Sequence, residues 1–254
     1  MRAFILSAGL GTRLRPLTDH APKPLVTVAG RPMVSYVLDL LEHYGFTEVL
    51  MNIHYLPDLM EKFVREENAR RKKIKIFLQD ERSKILGSGG ALVKAAPWLF
   101  AQTDMALALN ADTLLQANLK DLLQQHKANH KKFGALCTLA VMPHAEAGIR
   151  YTGLTVDENK VQEFISPKNK QSSSQNLFHF PGAYVLSKEA LPFMPQEERD
   201  FSIVDELWKP LAKEGKLGAW LYTGNYQDLG TPADLQLAEE RILKGEFSLD
   251  AARC

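Results

Sequence analysis

The sequence has little of what announces a specialised protein. It holds two cysteines in 254 residues, Cys137 inside an apolar run and Cys254 at the very end. Two thiols so placed suggest no disulfide framework, and the expected compartment is a reducing one, the cytoplasm. No uninterrupted apolar run approaches the ~18 residues that a membrane span requires. The first residues read as a strand, not as a basic segment followed by a long apolar one, so neither a secretory signal nor a membrane partner is expected. An excess of one charge is missing too: 31 Lys and Arg meet 30 Asp and Glu, a net of +1. No global field draws such a chain to nucleic acid. There is no internal repeat.

What is present is ordinary globular material, 45% hydrophobic and 24% charged, enough for a sizeable core. Short apolar runs alternate with longer amphipathic stretches. Strands are expected at 3–7, 48–52, 74–78, 105–110 and 134–141, and helices at 33–44, 56–70, 90–96 and 119–130. In the first helix Val34, Val37, Leu38 and Leu41 recur at helical spacing, and Tyr44-Gly45 supplies a stop. Alternation of this kind argues for an α/β fold with a mixed, mostly parallel central sheet covered on both faces.

The pattern changes after about residue 145. Segments 151–156 and 160–165 flank Asp157-Glu158-Asn159, which reads as a hairpin turn. The polar stretch SPKNKQSSSQN (166–176) reads as a surface loop. A strand resumes at 183–186, Ser187 caps a short helix, and a further strand covers 217–222. Thr231 and Pro232 stand at the N-cap and first position of a final helix running to about 243. With no clean linker, residues 1–245 read as one domain with halves 1–130 and 131–245, and 246–254 as a tail.

Open α/β sheets hold ligands at the carboxyl ends of their strands, so the residues just after each strand matter most. The first such place is LSAGLGTRLRPLT, residues 6–18, followed by Pro22-Lys23-Pro24. A dinucleotide fingerprint needs a third glycine where Leu14 stands, and a Walker A loop needs a terminal Gly-Lys-Ser/Thr. Neither is met. Prolines 16, 22 and 24 oppose a helix over 15–24. The stretch is a long irregular loop whose glycines allow backbone N–H groups to form an anion nest. Arg13, Arg15 and Lys23 add positive charge to it. Arg15 alone reads as a solvated basic residue.

The motif L-x-A-G-x-G-T-R-L-x-P-L-T followed by P-K-P resembles the signature of the sugar-1-phosphate nucleotidyltransferases, the NDP-sugar pyrophosphorylases. The resemblance implies a Rossmann-like three-layer domain of the nucleotide-diphospho-sugar transferase type. It implies that Leu6, Ala8, Gly9, Gly11 and Thr12 hold the triphosphate, that Arg13 polarises the α- and leaving phosphates, and that Lys23 contacts phosphate. Three further strand ends extend it. Gly89 and Gly90 of LGSGGA (86–91) resemble a small-residue motif packed on the base, and Gln79 takes the position of a base-reading polar group. Asp112 of Asn110-Ala111-Asp112 and Asp228 of YQDLGT match the family's Mg²⁺-binding aspartates, with Tyr226 replacing a usual tryptophan. Mg²⁺ takes one or two carboxylates plus substrate phosphates. Catalysis would fall to Arg13, Lys23 and Asp112.

The sugar side resembles the family less closely. Gly182 of FPGAY is similar to a glycine-centred sugar contact. The Glu-Lys pair that relatives carry after a Val-x-x-Phe strand is absent in register; Glu163 and Lys168 are its nearest counterparts. The implied partners are a nucleoside triphosphate, UTP or GTP favoured, and a sugar 1-phosphate, with a homo-oligomer left open. The short forms it resembles act on N-acetylmuramate 1-phosphate or on mannose or heptose 1-phosphate, in the service of cell-envelope polysaccharide. With no hexapeptide repeat, no acyltransferase activity is expected. A non-catalytic regulatory relative, or a nucleotidyltransferase acting on phosphocholine, is the alternative.

Other features are set aside. Arg70-Arg71-Lys72-Lys73 reads as a solvated helix end. His54 and His126 have no ligand-spaced partners and suggest no zinc. Ser202–Asp205 and His179 lack the G-x-S-x-G elbow of a hydrolase.

Overall fold

Alternation along the first strand sets the layers. In the computed structural model, which describes residues 2–167 and 177–248, β1 (Arg2–Leu6) sends Ala3 and Ile5 into one core and Phe4 into another. A strand buried on both faces in this way belongs in the middle of a covered sheet. After β1 the chain makes three single 3-10 turns, Thr12–Leu14, Leu17–Asp19 and Lys23–Leu25. A small ribbon of β2 (Thr27–Val28) and β3 (Arg31–Pro32) leads into α1 (Met33–His43). The unit then repeats through β4 (Glu48–Ile53), α2 (Pro57–Arg70), β5 (Lys75–Asp80), α3 (Gly87–Leu99) and β6 (Met105–Asn110). β7 (Thr113–Leu115) and α4 (Leu119–Phe133) close the first half.

The second half adds β8 (Cys137–Pro143), β9 (Gly153–Asp157), β10 (Lys160–Ile165), β11 (Phe178–His179) and β12 (Ala183–Ser187). A π-helical segment, Val204–Trp208, runs into α5 (Lys209–Lys213), followed by β13 (Leu217–Leu221), β14 (Tyr226–Asp228) and α6 (Pro232–Leu243). Ten of the strands join in one sheet of order β11-β9-β10-β13-β8-β12-β6-β1-β4-β5, and β7 pairs with β14 in a separate ribbon. β5, β4, β1 and β6 are mutually parallel. β12 runs against both β6 and β8, and β13 is parallel to β8. The sheet is therefore mixed, with β12 the reversed strand among its central members.

One face is covered by α1, α2 and α4 over Ile5, Val49, Met51 and Leu107, the other by α3 and the 204–213 helical segment over Phe4, Tyr184 and Leu186. The two apolar cores make the three layers.

Several expectations need correction. α3 starts at Gly87, three residues earlier than the expected helix, because its glycines are packed rather than loose. Gly134 does not begin a strand; it is the left-handed residue, φ 73°, that ends α4. Ser187 stands at the N-cap of the expected short helix, a 3-10 helix over Lys188–Phe193, but its side chain does not cap it: its Oγ sits 2.8 Å from Nε2 of buried His126. Arg71 is not solvated. Its side chain is 3% exposed and bridges Asp39, Glu42 and Glu67, tying α1 to α2. The expected hairpin forms, with Glu158 and Asn159 at φ 44° and 64° between antiparallel β9 and β10. Thr231 caps α6, its Oγ1 accepting from Asp234 N at 3.2 Å.

Candidate active site

The carboxyl ends of β1, β4 and β6 open on a cavity of about 360 Å³. Its walls come from the loop after β1 (Ser7, Ala8, Gly9, Gly11, Thr12, Arg13), from Lys23 and Pro24, from Asn52 and Glu81, from Gly87 and Ser88, and from Asn110, Ala111, Asp112 and Gly230. Leu6 lines it as well.

Local chemistry shapes the first wall. Gly11 has φ +65°, and a Cβ there would meet Thr18 Cγ2 at 2.8 Å and Lys23 Cβ at 2.9 Å. No other residue fits both the conformation and the space. Thr18 Oγ1 donates to Gly11 O at 2.9 Å and holds the loop closed. A Cβ on Gly9 would meet nothing within 4 Å. Leu14 is fully buried with Leu229, Leu235 and Val26 in a small separate core. The residue that breaks the dinucleotide fingerprint thus anchors this loop to the turn after Asp228.

The charged groups gather on the opposite side. Lys23 Nζ donates to Asp112 Oδ2. Leu229 N donates to Asp112 O at 3.0 Å, which sets the β14 turn beside the end of β6. Asp228 is buried; burial first, then the Asp112 charge, raises its pKa above the usual carboxylate value. Tyr151 donates to Asp228 Oδ2 at 3.1 Å, and Arg150 Nη2 lies 3.7 Å from that oxygen and 2.7 Å from Asp234 Oδ2. Behind them His179 Nε2 lies 2.9 Å from the Tyr226 hydroxyl, and the His179 and Tyr151 rings are 4.4 Å apart. The Arg13 guanidinium and the Asp228 carboxylate flank Gly230: a Cβ at 230 would fall 2.9 Å from Arg13 Nη2 and 3.0 Å from Asp228 Oδ2. Arg15, by contrast, is solvated and pairs with Asp19.

The fold therefore brings Leu6, Ala8, Gly9, Gly11, Thr12, Arg13, Lys23 and Asp112 to one cavity, with Asp228 at its edge. Other expected residues stand elsewhere. Gln79 does not face the cavity: its amide spends both N–H groups on Glu81 Oε1 (2.8 Å) and Ala91 O (2.9 Å), tying β5 to α3. Gly89 and Gly90 do not line the cavity. A Cβ on Gly89 would lie 2.0 Å from the Phe201 ring and one on Gly90 2.0 Å from Arg199 O. They let the 199–201 segment close on α3; Gly87 and Ser88 face the cavity instead.

Gly182, φ +100°, lies at the same sheet edge; its carbonyl accepts from Asn110 N at 2.8 Å, and Thr113 and Asn110 crowd it. Glu163 is exposed on β10, four strands from β6 in the sheet order, and is absent from the cavity wall. Lys168 lies outside the described residues.

Sequence reasoning passed over a network at the cavity floor. Ser7 N donates to Asn52 Oδ1 at 2.7 Å, and Asn52 Nδ2 donates to Glu81 Oε1 at 3.1 Å. This joins the ends of β1, β4 and β5. Asn52 stands one residue before the end of β4, so the strand-end rule could have found it. Arg150 and Tyr151 gave no signal at all, because their partner Asp228 is 77 residues or more away.

Among the described residues no three His, Cys, Asp or Glu side chains converge as a self-contained metal cage. None of the described helices is long and apolar enough to cross a membrane.

Comparison with known proteins gives a consistent picture. The nucleotidyl transferase family model matches residues 2–245. Mannose-1-phosphate guanyltransferase beta-A of Xenopus laevis is 31% identical over 235 residues, 92% of this chain and 62% of that protein. Mannose-1-phosphate guanylyltransferase 1 of Arabidopsis thaliana is 31% identical over 238 residues, again 92% and 62%. The chain thus spans less than two thirds of the length of these relatives. Among solved structures, HddC from Yersinia pseudotuberculosis superimposes with a TM-score of 0.74 at 23% identity, covering 95% of this chain and 99% of that one. That likeness is one of fold.

Proposed function

The chain belongs to the nucleotidyl transferase family, and from that premise we propose that it transfers a nucleotidyl group from a nucleoside triphosphate to a sugar 1-phosphate, releasing pyrophosphate. One observation carries the reading. A glycine-bearing loop, two cations and two carboxylates from distant parts of the chain meet at one cavity, Lys23 touching Asp112 and Arg13 standing beside Asp228.

The chemistry asks little of a general base. A phosphate oxygen of the sugar 1-phosphate is already ionised and attacks the α-phosphorus in line, while the bond to pyrophosphate breaks. Such a reaction is accelerated by positioning and by neutralising charge that builds on the phosphates. The N–H groups around Gly9 and Gly11 would take the triphosphate, with Arg13 and Lys23 answering its charge.

Mg²⁺ suits the donor set. Asp112 and Asp228 are hard oxygen ligands, mutually close enough to raise the pKa of Asp228, and two carboxylates plus substrate phosphates are what this ion takes. When bound it would supply charge neutralisation at the phosphates. The intact set Arg13, Lys23, Asp112 and Asp228 favours an enzyme over a purely regulatory binder. GTP and mannose 1-phosphate are the first substrates to try, since the relatives named above are mannose-1-phosphate guanylyltransferases. We assign the reaction to the cytoplasm, in keeping with the buried free thiol of Cys137.

The test is a matrix of four nucleoside triphosphates against a panel of sugar 1-phosphates, read by pyrophosphate release. One cell or a few should exceed the rest by orders of magnitude. Release with none, under excess Mg²⁺, contradicts the reading.

A further inference from the structure

Two cations line the cavity, and they stand differently. Arg13 is exposed and carries no ion pair among the described residues. Lys23 is 8% exposed, and its ammonium is engaged on Asp112 Oδ2. The stem of Lys23 lies beside Gly11, where a Cβ would come within 2.9 and 3.4 Å of its Cβ and Cγ. Its backbone is fixed in a short turn, Val26 N donating to Lys23 O at 3.1 Å. The far end of the side chain is what can change partner: it touches Asp112, and Lys23 and Asp112 both line the same cavity. The other carboxylate is held less closely. Asp228 takes a hydroxyl hydrogen bond from Tyr151, and the nearest Arg150 nitrogen is 3.7 Å away, itself engaged by Asp234.

An ammonium seated on a carboxylate opposes a divalent cation twice. It cancels the charge that would attract the ion, and it repels the ion at contact distance. A triphosphate alters this, because its oxygens offer the same ammonium a second anionic seat in the same cavity.

We propose that Lys23 is a stand-in cation: in the free protein it occupies Asp112 and suppresses divalent-metal binding, and when a nucleoside triphosphate enters, its ammonium passes to phosphate and leaves Asp112 to the metal. Metal and nucleotide binding are then coupled, each tightening the other by the same factor. The inference rests on the reading of this cavity as a nucleotide and Mg²⁺ site.

Mn²⁺ binding, followed by electron paramagnetic resonance or calorimetry without turnover, tests it. Free wild-type protein should bind Mn²⁺ weakly. Lys23→Met and Lys23→Gln, checked for folding by circular dichroism and melting, should bind it about tenfold or more tightly. Lys23→Arg should behave as wild type, and adding Asp112→Asn to Lys23→Met should remove the gain. A non-hydrolysable GTP analogue should tighten Mn²⁺ binding to wild type about tenfold, after allowance for Mn²⁺ held by the analogue in solution, and should do far less for Lys23→Met. The proposal is overturned if folded Lys23→Met and Lys23→Gln gain no affinity, or if wild type binds Mn²⁺ equally with and without the analogue. Either result leaves the cavity reading standing, because wild type still binds the ion. If wild type binds no Mn²⁺ even with the analogue, the cavity reading fails and the proposal falls with it.

Discussion

Gly230 lies between Arg13 and Asp228: a Cβ at position 230 would lie 2.9 and 3.0 Å from the two terminal nitrogens of Arg13 and 3.0 Å from Asp228 Oδ2. The Asp-x-Gly pattern of residues 228–230 is thus a spacing device. The carboxylate and the guanidinium can stand side by side at the cavity edge only because nothing projects between them.

Gly230→Ala should accordingly push Arg13 aside while leaving the fold intact. Position 230 does not need a left-handed backbone, so the cost falls on the site and not on the chain. Turnover should fall at least tenfold with a melting temperature within a few degrees of wild type. Steady-state pyrophosphate release and a thermal melt check both halves.

Arg13→Ala removes the unpaired cation itself. One preorganised electrostatic donor is worth about 10²–10³ in rate, roughly 3–4 kcal/mol. The loss should appear in kcat. A variant that keeps a third of wild-type activity contradicts the role given to Arg13.

Gly89→Ala and Gly90→Ala should act on stability. Their new methyl groups would meet the Phe201 ring and the Arg199 carbonyl at 2.0 Å. Overpacking of this kind costs about 1–3 kcal/mol, more where backbone cannot move, as at Gly90. Urea denaturation should report the loss, with KM for nucleotide little changed in protein that folds. The opposite outcome, normal stability with a raised nucleotide KM, would restore these glycines to the base site.

Acid should unfold the protein through two buried histidines. Burial depresses His126 and His179 to about 4, whereas the unfolded chain takes up protons near 6.5. Below that value the unfolded state binds more protons than the folded one, so stability is full above pH 6.5 and is lost progressively as pH falls toward 4. At pH 5 the loss is about 2 kcal/mol for each histidine. Denaturant midpoints at pH 7.5 and pH 5 measure it. His126→Gln, whose amide keeps partners for Thr138 and Ser187, should flatten the dependence by about half.

The strand-end loops were legible because their constraints are local. The glycines and prolines of residues 9–24 exclude a helix and a dinucleotide turn by backbone geometry alone, and the amphipathic periods of α1, α2 and α4 needed no tertiary knowledge. The glycines of α3 misled for the same reason: glycine beside glycine looks like a loop until Phe201 is seen packed on it. Gln79 misled differently. Its place at a strand end fits a reader of ligands, but only the fold shows both of its donors already used inside the protein. Arg71 sits in a run of four basic residues, and no pattern distinguishes the one that three carboxylates enclose.

By itself the sequence determined the layered α/β architecture, through apolar periods of 2 and 3.6, and the family, through fixed residues at fixed spacing between Leu6 and Pro24. Tertiary structure decided which polar groups are brought close together. Lys23 with Asp112, Arg13 with Asp228 and Tyr151 with Asp228 are separated by 77 to 215 residues along the chain. Contacts at that range are written by the pairing of β7 with β14 and by the small core around Leu14. No periodicity carries such information, since electrostatic partners need only be close in space.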